Sequence, residues 1–201
     1  MRRNLARLFA SFSLGLLILI GLLASHFATQ AYWSAAGHPA ETAGNPVQEI
    51  TGYRGWTKVN PEPQLMPDQT AQLCAAVSPG IGAAAPNPHR NKYLTVYVNE
   101  LGRKAMLEQK GPAFPEGSVI VKEKLPEKSS QAPELMTVMI KRGKGFNPAS
   151  GDWEYMVVDG TGTKVLARGK LDNCQACHSA KPGTDYVFRT YLPGEVISKL
   201  K

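Results

Sequence analysis

Near the end of the chain stands Cys174-Gln175-Ala176-Cys177-His178, and no other stretch restricts what the chain can become so tightly. Two thiols three residues apart with an imidazole directly behind them form the attachment pattern of c-type haem. Both cysteines make thioethers to the porphyrin vinyls, and the histidine ligates iron. A zinc site would need further ligands at close spacing, yet His26, His38 and His89 each stand apart from any other Cys or His. A redox pair of the thioredoxin type belongs to a βαβ context near the start of a domain, whereas this motif sits near the chain end. The residues therefore call for one covalent haem c with its iron, held by Cys174, Cys177 and His178.

Thioether formation needs reduced cysteines presented outside the bacterial cytoplasm, and the N-terminus supplies a route. Arg2, Arg3 and Arg7 precede an apolar run from Leu8 to Ala24, and no acidic residue occurs before Glu41. This is the layout of an export signal over residues 1–36. The run is long for a signal core and short for a membrane span, so cleavage after Ala31 or Ala36 competes with retention as an inner-membrane anchor. Either outcome places the rest of the chain in the periplasm. Removing residues 1–36 takes three of the 23 basic residues and none of the 16 acidic ones, leaving 20 − 16, or +4. So modest a balance argues against a nucleic-acid partner.

Residues 37–46 are small, polar and interrupted by Pro and Gly, as in a linker, and residues 47–201 suffice for one domain. The pattern predicts two short helices at its start, over 46–58 and 67–77, the second burying Leu73 and Cys74. A Pro- and Gly-rich loop follows over 78–91. Then the hydrophobic period becomes two. Residues 93–98 alternate as a strand, Asn99 offers a helix N-cap, and 118–125 and 134–142 read as further strands. Residues 152–169 read as a hairpin turning at Asp159-Gly160-Thr161-Gly162. Four or five antiparallel strands thus precede a short helix over 172–179 that carries the haem motif. The fold class is α+β: mainly antiparallel sheet with a few short helices.

Small electron-transfer cytochromes commonly close the sixth iron site with a methionine, but no methionine follows His178. Met139 and Met156 lie in strand patterns and read as core residues. His89, in Asn-Pro-His-Arg-Asn, reads as a surface or pocket-lining group, because nothing local fixes its orientation as a ligand. A five-coordinate iron with an open face follows.

Four stretches, KYLTVYVN, FPEGSVIVKE, GDWEYMVVD and CQACHSAKPGTDYVF, occur in that order. Together they resemble the cytochrome P-460 family, which includes the β-sheet form of cytochrome c′, over about Trp56 to Leu192. The resemblance implies a homodimer of mainly antiparallel β subunits with one c-type haem each. It places Cys174 and Cys177 at the thioethers and His178 at the proximal site. It also implies a lysine bonded to a haem meso carbon in the hydroxylamine-oxidising members, and the matching residue is Lys122. On a strand, Ile120, Lys122 and Lys124 share one face. Charge pattern alone would make Lys122 a solvent-facing lysine at a charged strand end; the resemblance turns it toward the haem.

Two functions stay open. One is hydroxylamine oxidation toward nitrous or nitric oxide, with electrons passed to a partner cytochrome and Lys122 as a catalytic residue. The other is non-catalytic capture or sensing of nitric oxide or carbon monoxide. A simple electron carrier ranks third, since the downstream methionine is missing. The sequence does not place the distal acid or base that oxidation requires.

Overall fold

Residues 47–73 and 89–200 are described by the computed structural model. They belong to a compact unit spanning Asn45–Lys201. The export segment, the linker, Cys74 and most of the Pro-rich loop lie outside the described residues. Among those described, no helix is long and apolar enough to cross a membrane.

Seven strands form one antiparallel sheet. They are β1 (Thr57–Lys58), β2 (Gln64–Leu65), β3 (Tyr93–Val98), β4 (Val119–Leu125), β5 (Leu135–Lys141), β6 (Trp153–Asp159) and β7 (Val165–Gly169). The order is β1-β3-β4-β5-β6-β7, with β2 also pairing β3. The long strands are rich in Val, Ile, Thr and Tyr, which suit a pleated surface. Strands β1 and β2 are too short for any two-residue period to reveal, and the sequence pattern misses both. Between them the edge of β3 is completed by one side chain. Asn60 Oδ1 accepts from the Val96 amide and Nδ2 donates to the Leu94 carbonyl, both at 2.8 Å.

The first predicted helix does not form. Its residues make two short 3-10 turns, Gln48–Ile50 and Tyr53–Gly55, before β1 begins. Gly52, at φ 72°, takes the left-handed conformation between them and ends any regular helix there. The second is helix α1 (Asp68–Leu73), whose predicted continuation is outside the described residues. Helix α2 (Glu100–Leu107) starts where Asn99 was expected to cap it: the Asn99 side chain accepts from the Gly102 amide. Helix α3 (Asp172–His178) carries the haem motif, and α4 (Gly194–Lys199) ends the described chain.

Register divides the sheet into two faces. One carries the rows Val98–Ile120–Met139–Tyr155, Val96–Lys122–Thr137–Val157 and Leu94–Lys124–Leu135. The other carries Val121–Val138–Met156 and Val119–Ile140–Glu154. On the first face Trp153, fully buried, packs with Phe114, Met106 and the C-terminal Val187, Phe188 and Leu192. Burying one such side chain is worth roughly 3 kcal/mol. On the second face the turns at 48–55 cover Val121, Met136, Val138 and Met156. The sheet therefore has apolar cores on both sides, and a helix bearing the haem motif on the first.

Candidate haem site

Helix α3 arranges the motif by its period. Cys174, Cys177 and His178 stand at i, i+3 and i+4, so all three lie on one helical face. That face meets the first side of the sheet. The cavity between them holds about 940 Å³ of non-atom space, open solvent at its mouth included. Its walls include Cys174, Cys177 and His178 from α3, Ile120 and Lys122 from β4, and Tyr155 from β6. A smaller space of about 330 Å³ borders Cys177, His178 and Lys122 from another side, with Met66 and Phe188 in its wall.

The imidazole of His178 is held in one tautomer. Its Nδ1 lies 2.6 Å from the backbone oxygen of Tyr186, and a carbonyl can only accept, so Nδ1 carries the proton. The Nε2 lone pair is left to bind a metal, the usual arrangement for a ligating histidine. The rings of Tyr155 and Phe188 flank it, with centroids at 5.4 and 5.2 Å. Burial, with the nearby charge of Lys122, pushes the His178 imidazole down to about 4. At neutral pH the ring is uncharged, with its proton on Nδ1 and its lone pair on Nε2.

The Tyr186 carbonyl is aimed by an uncommon piece of backbone. Asp185 and Tyr186 both have positive φ, 51° and 63°, which for a bulky side chain such as Tyr is a genuine outlier. Each such residue costs on the order of 1–3 kcal/mol and persists only where its surroundings hold it. Lys141 Nζ donates to both Asp185 carboxylate oxygens at 2.7 Å, Asp185 Oδ2 accepts from the Phe114 amide at 2.9 Å, and Trp153 Nε1 donates to the Asp185 carbonyl at 2.7 Å.

Lys122 is half-buried and lines both spaces that border His178. The charged strand end did not turn it to solvent, because β3 and β5 pair with β4 on both edges and the cavity lies over its face. Two strand positions further on, Lys124 is only 1 % exposed, and its Nζ donates to Nδ1 of His89 at 2.9 Å. His89 lines the cavity too. Burial and the charges of Lys124 and Lys122 push its imidazole down to about 3. Met139 faces the cavity from β5; Met156 borders it as well but packs its side chain into the core of the opposite face.

Sequence reasoning singled out Cys174, Cys177, His178 and Lys122, and the fold gathers all four around one space. It gave Lys124 no role, although the two-residue period of β4 places it on the face of Lys122. It also missed Asp185, Tyr186 and Tyr155, whose contributions depend on contacts across the fold.

A macrocycle with two carboxylate tails fits this lining. Among the described residues in the cavity wall are two lysines, two histidines and no carboxylate, set among Ile, Leu, Val, Met and aromatic side chains. The apolar part suits the porphyrin and the basic part suits its propionates. The fold and site together define an α+β haem protein of the c-type cytochrome class. A family model described as Cytochrome P460 matches residues 50–189, and the chain belongs to that family. No curated protein matches the chain in a sequence search.

Proposed function

We propose that this protein is an exported oxidoreductase that oxidises hydroxylamine on one covalent haem c. Cys174 and Cys177 carry the thioethers, His178 ligates the iron, and Lys122 makes a further bond to the ring. When bound, the haem supplies an iron that accepts the substrate's electrons and passes them on to a partner cytochrome. Two hydroxylamine molecules give nitrous oxide and water, releasing protons and electrons in equal number. The observation that carries this reading is the place of Lys122, in the wall of both spaces beside His178.

The chain's own residues have three tasks. Tyr186 holds the proton of Nδ1, so that Nε2 of His178 points its lone pair at the metal. The aliphatic and aromatic lining keeps bulk water from the reacting atoms. Lys124, bonded to His89, gives the cavity its basic side, which would receive the haem's propionates. As family resemblance suggests, the protein works as a homodimer in the periplasm, released by cleavage or tethered through residues 1–36.

Mass spectrometry of the digested holoprotein tests the assignment. The haem peptide containing Cys174 to His178 is expected to carry the peptide containing Lys122 as well. Lys122→Ala is expected to keep its two thioethers and lose hydroxylamine oxidation. A wild-type haem peptide with thioethers alone would remove the main support.

One observation favours a second reading. The cavity wall holds no carboxylate among the described residues, so the acidic groups that often serve as proton acceptors are missing from it. A cavity without such acceptors suits capture of nitric oxide or carbon monoxide without turnover. Wild-type protein that binds nitric oxide and leaves hydroxylamine untouched establishes this alternative.

A further inference from the structure

The strained turn behind His178 is braced from several directions. Lys141 comes from the end of β5, where its ammonium also lies 5.1 Å from the Trp153 ring centroid. Its ion pair with Asp185 is only 14 % exposed on either side chain, so solvent screens it weakly. The Tyr186 amide donates to the Lys181 carbonyl at 2.7 Å, closing the turn on itself. On the far side Gly151 makes room: a methyl there would stand 2.6 Å from the Tyr186 ring and 2.9 Å from Asp185 Oδ1. All these contacts converge on two residues whose conformation L-amino acids avoid, and the product of that conformation is one carbonyl pointed at Nδ1 of His178.

We infer that the Lys141–Asp185 ion pair is a positioning device for the iron ligand, fixing the direction and strength of the hydrogen bond from His178 to the Tyr186 carbonyl. The chain of contacts is short. Lys141 holds the Asp185 carboxylate, the carboxylate and the Trp153 indole hold the turn, and the turn holds the carbonyl against the imidazole. A tight Nδ1–H···O bond makes the imidazole more basic toward a metal on Nε2. A more basic ligand favours the oxidised iron and lowers the reduction potential. The ion pair at the sheet's end therefore tunes the haem without touching it, and Lys141 and Asp185 are positioning residues rather than catalytic ones.

This rests on His178 being the iron ligand, as proposed above. The test uses intact holoprotein, read by the iron–histidine stretching band of the reduced form and by the reduction potential. Asp185→Asn keeps a side chain that tolerates positive φ and still accepts from the Phe114 amide, but it ends the ion pair. Lys141→Met keeps the aliphatic stem and removes the charge. Both are expected to lower the band frequency and raise the potential, while Lys141→Arg, which can still grip the carboxylate, restores wild-type values. If both variants bind haem and lose thermal stability with band and potential unmoved, the brace is merely structural and the inference fails. If one variant does not fold, shifted readouts in the other that Lys141→Arg does not share support the device, and wild-type readouts in the variant that folds overturn it. A wild-type protein with no iron–histidine band overturns the ligand assignment itself, a different outcome from a band that does not respond.

Discussion

The two faces of the sheet bury charge in opposite ways. On the closed face Glu154 sits between Arg142 and Arg168, with Glu49 completing the cluster, and Glu123 takes bonds from Tyr53 and Arg54. Burial alone would raise the Glu154 carboxyl, but hydrogen bonds from Arg168 and Arg142 outweigh it and hold the group below its ordinary value. On the cavity face Lys122, Lys124, His89 and His178 converge on a space whose described walls hold no carboxylate. The closed face satisfies its charges from within the chain; the cavity, unlike the Lys141–Asp185 pair beside it, is lined to receive a partner that brings negative charge and a large apolar surface. The same strands serve both, because alternate residues of β4 through β6 point to opposite sides.

The strongest way to break the contrast is to deny the cavity its guest. Cys174→Ala with Cys177→Ala is expected to remove both thioethers, seen in a digest as a peptide spanning Cys174 to His178 that carries no haem. The closed face should not notice, and denaturant unfolding of the double variant should keep the cooperativity contributed by that core. Haem still bonded to that peptide after the double substitution would refute the attachment site.

The next largest effect belongs to the closed face. Glu154 is nearly buried, with its side chain 5 % exposed, and its removal leaves Glu49 as the one remaining carboxylate between two arginines that are about three-quarters buried themselves. Glu154→Ala is expected to cost about 3 kcal/mol of unfolding free energy in denaturant titration. The haem absorption spectrum should be unchanged, because Glu154 faces away from the cavity. A spectral shift equal to that of a cavity substitution would show that the faces are not independent.

Much of this division was legible in the sequence. The alternation in residues 93–98 and 118–125 gave the strands, and the same period put Ile120, Lys122 and Lys124 together before any fold was known. The spacing of CQACH fixed three site residues, since helical period alone places them on one face. What stayed hidden depends on contacts between distant segments. Glu123 and Lys124 look alike in a charged strand end, yet one meets Arg54 behind the sheet and the other meets His89 in front. The Asp185–Tyr186 conformation is imposed by Lys141, Phe114 and Trp153, which lie far away in the chain, so no local signal announces it. The first predicted helix failed for a readable reason, Gly52, while β1 and β2 were too brief for any periodicity.

The subtlest expected effect concerns His89, and it follows from a sign. Its imidazole is pushed from the ordinary 6.5 down to about 3 in the folded protein, by burial first and then by the charges of Lys124 and Lys122. Between those values the unfolded chain binds a proton that the folded chain refuses, so stability is fully present above 6.5 and falls as the pH is lowered toward 3. The slope from this one group is at most about 1.4 kcal/mol per pH unit. With iron on Nε2 of His178 as proposed, that histidine would drop out of the comparison in holoprotein, leaving His89 as the cavity contributor. His89→Gln can still accept from Lys124 and carries no titrating ring, so wild type should lose stability faster than the variant on going from pH 7 to pH 4. Carboxylates elsewhere titrate alike in both proteins and cancel in the difference. Denaturant midpoints measured at several pH values decide it: converging or crossing curves place the refused proton on His89, whereas parallel curves would mean the cavity does not burden its own histidine and the contrast between the two faces is weaker than their lining suggests.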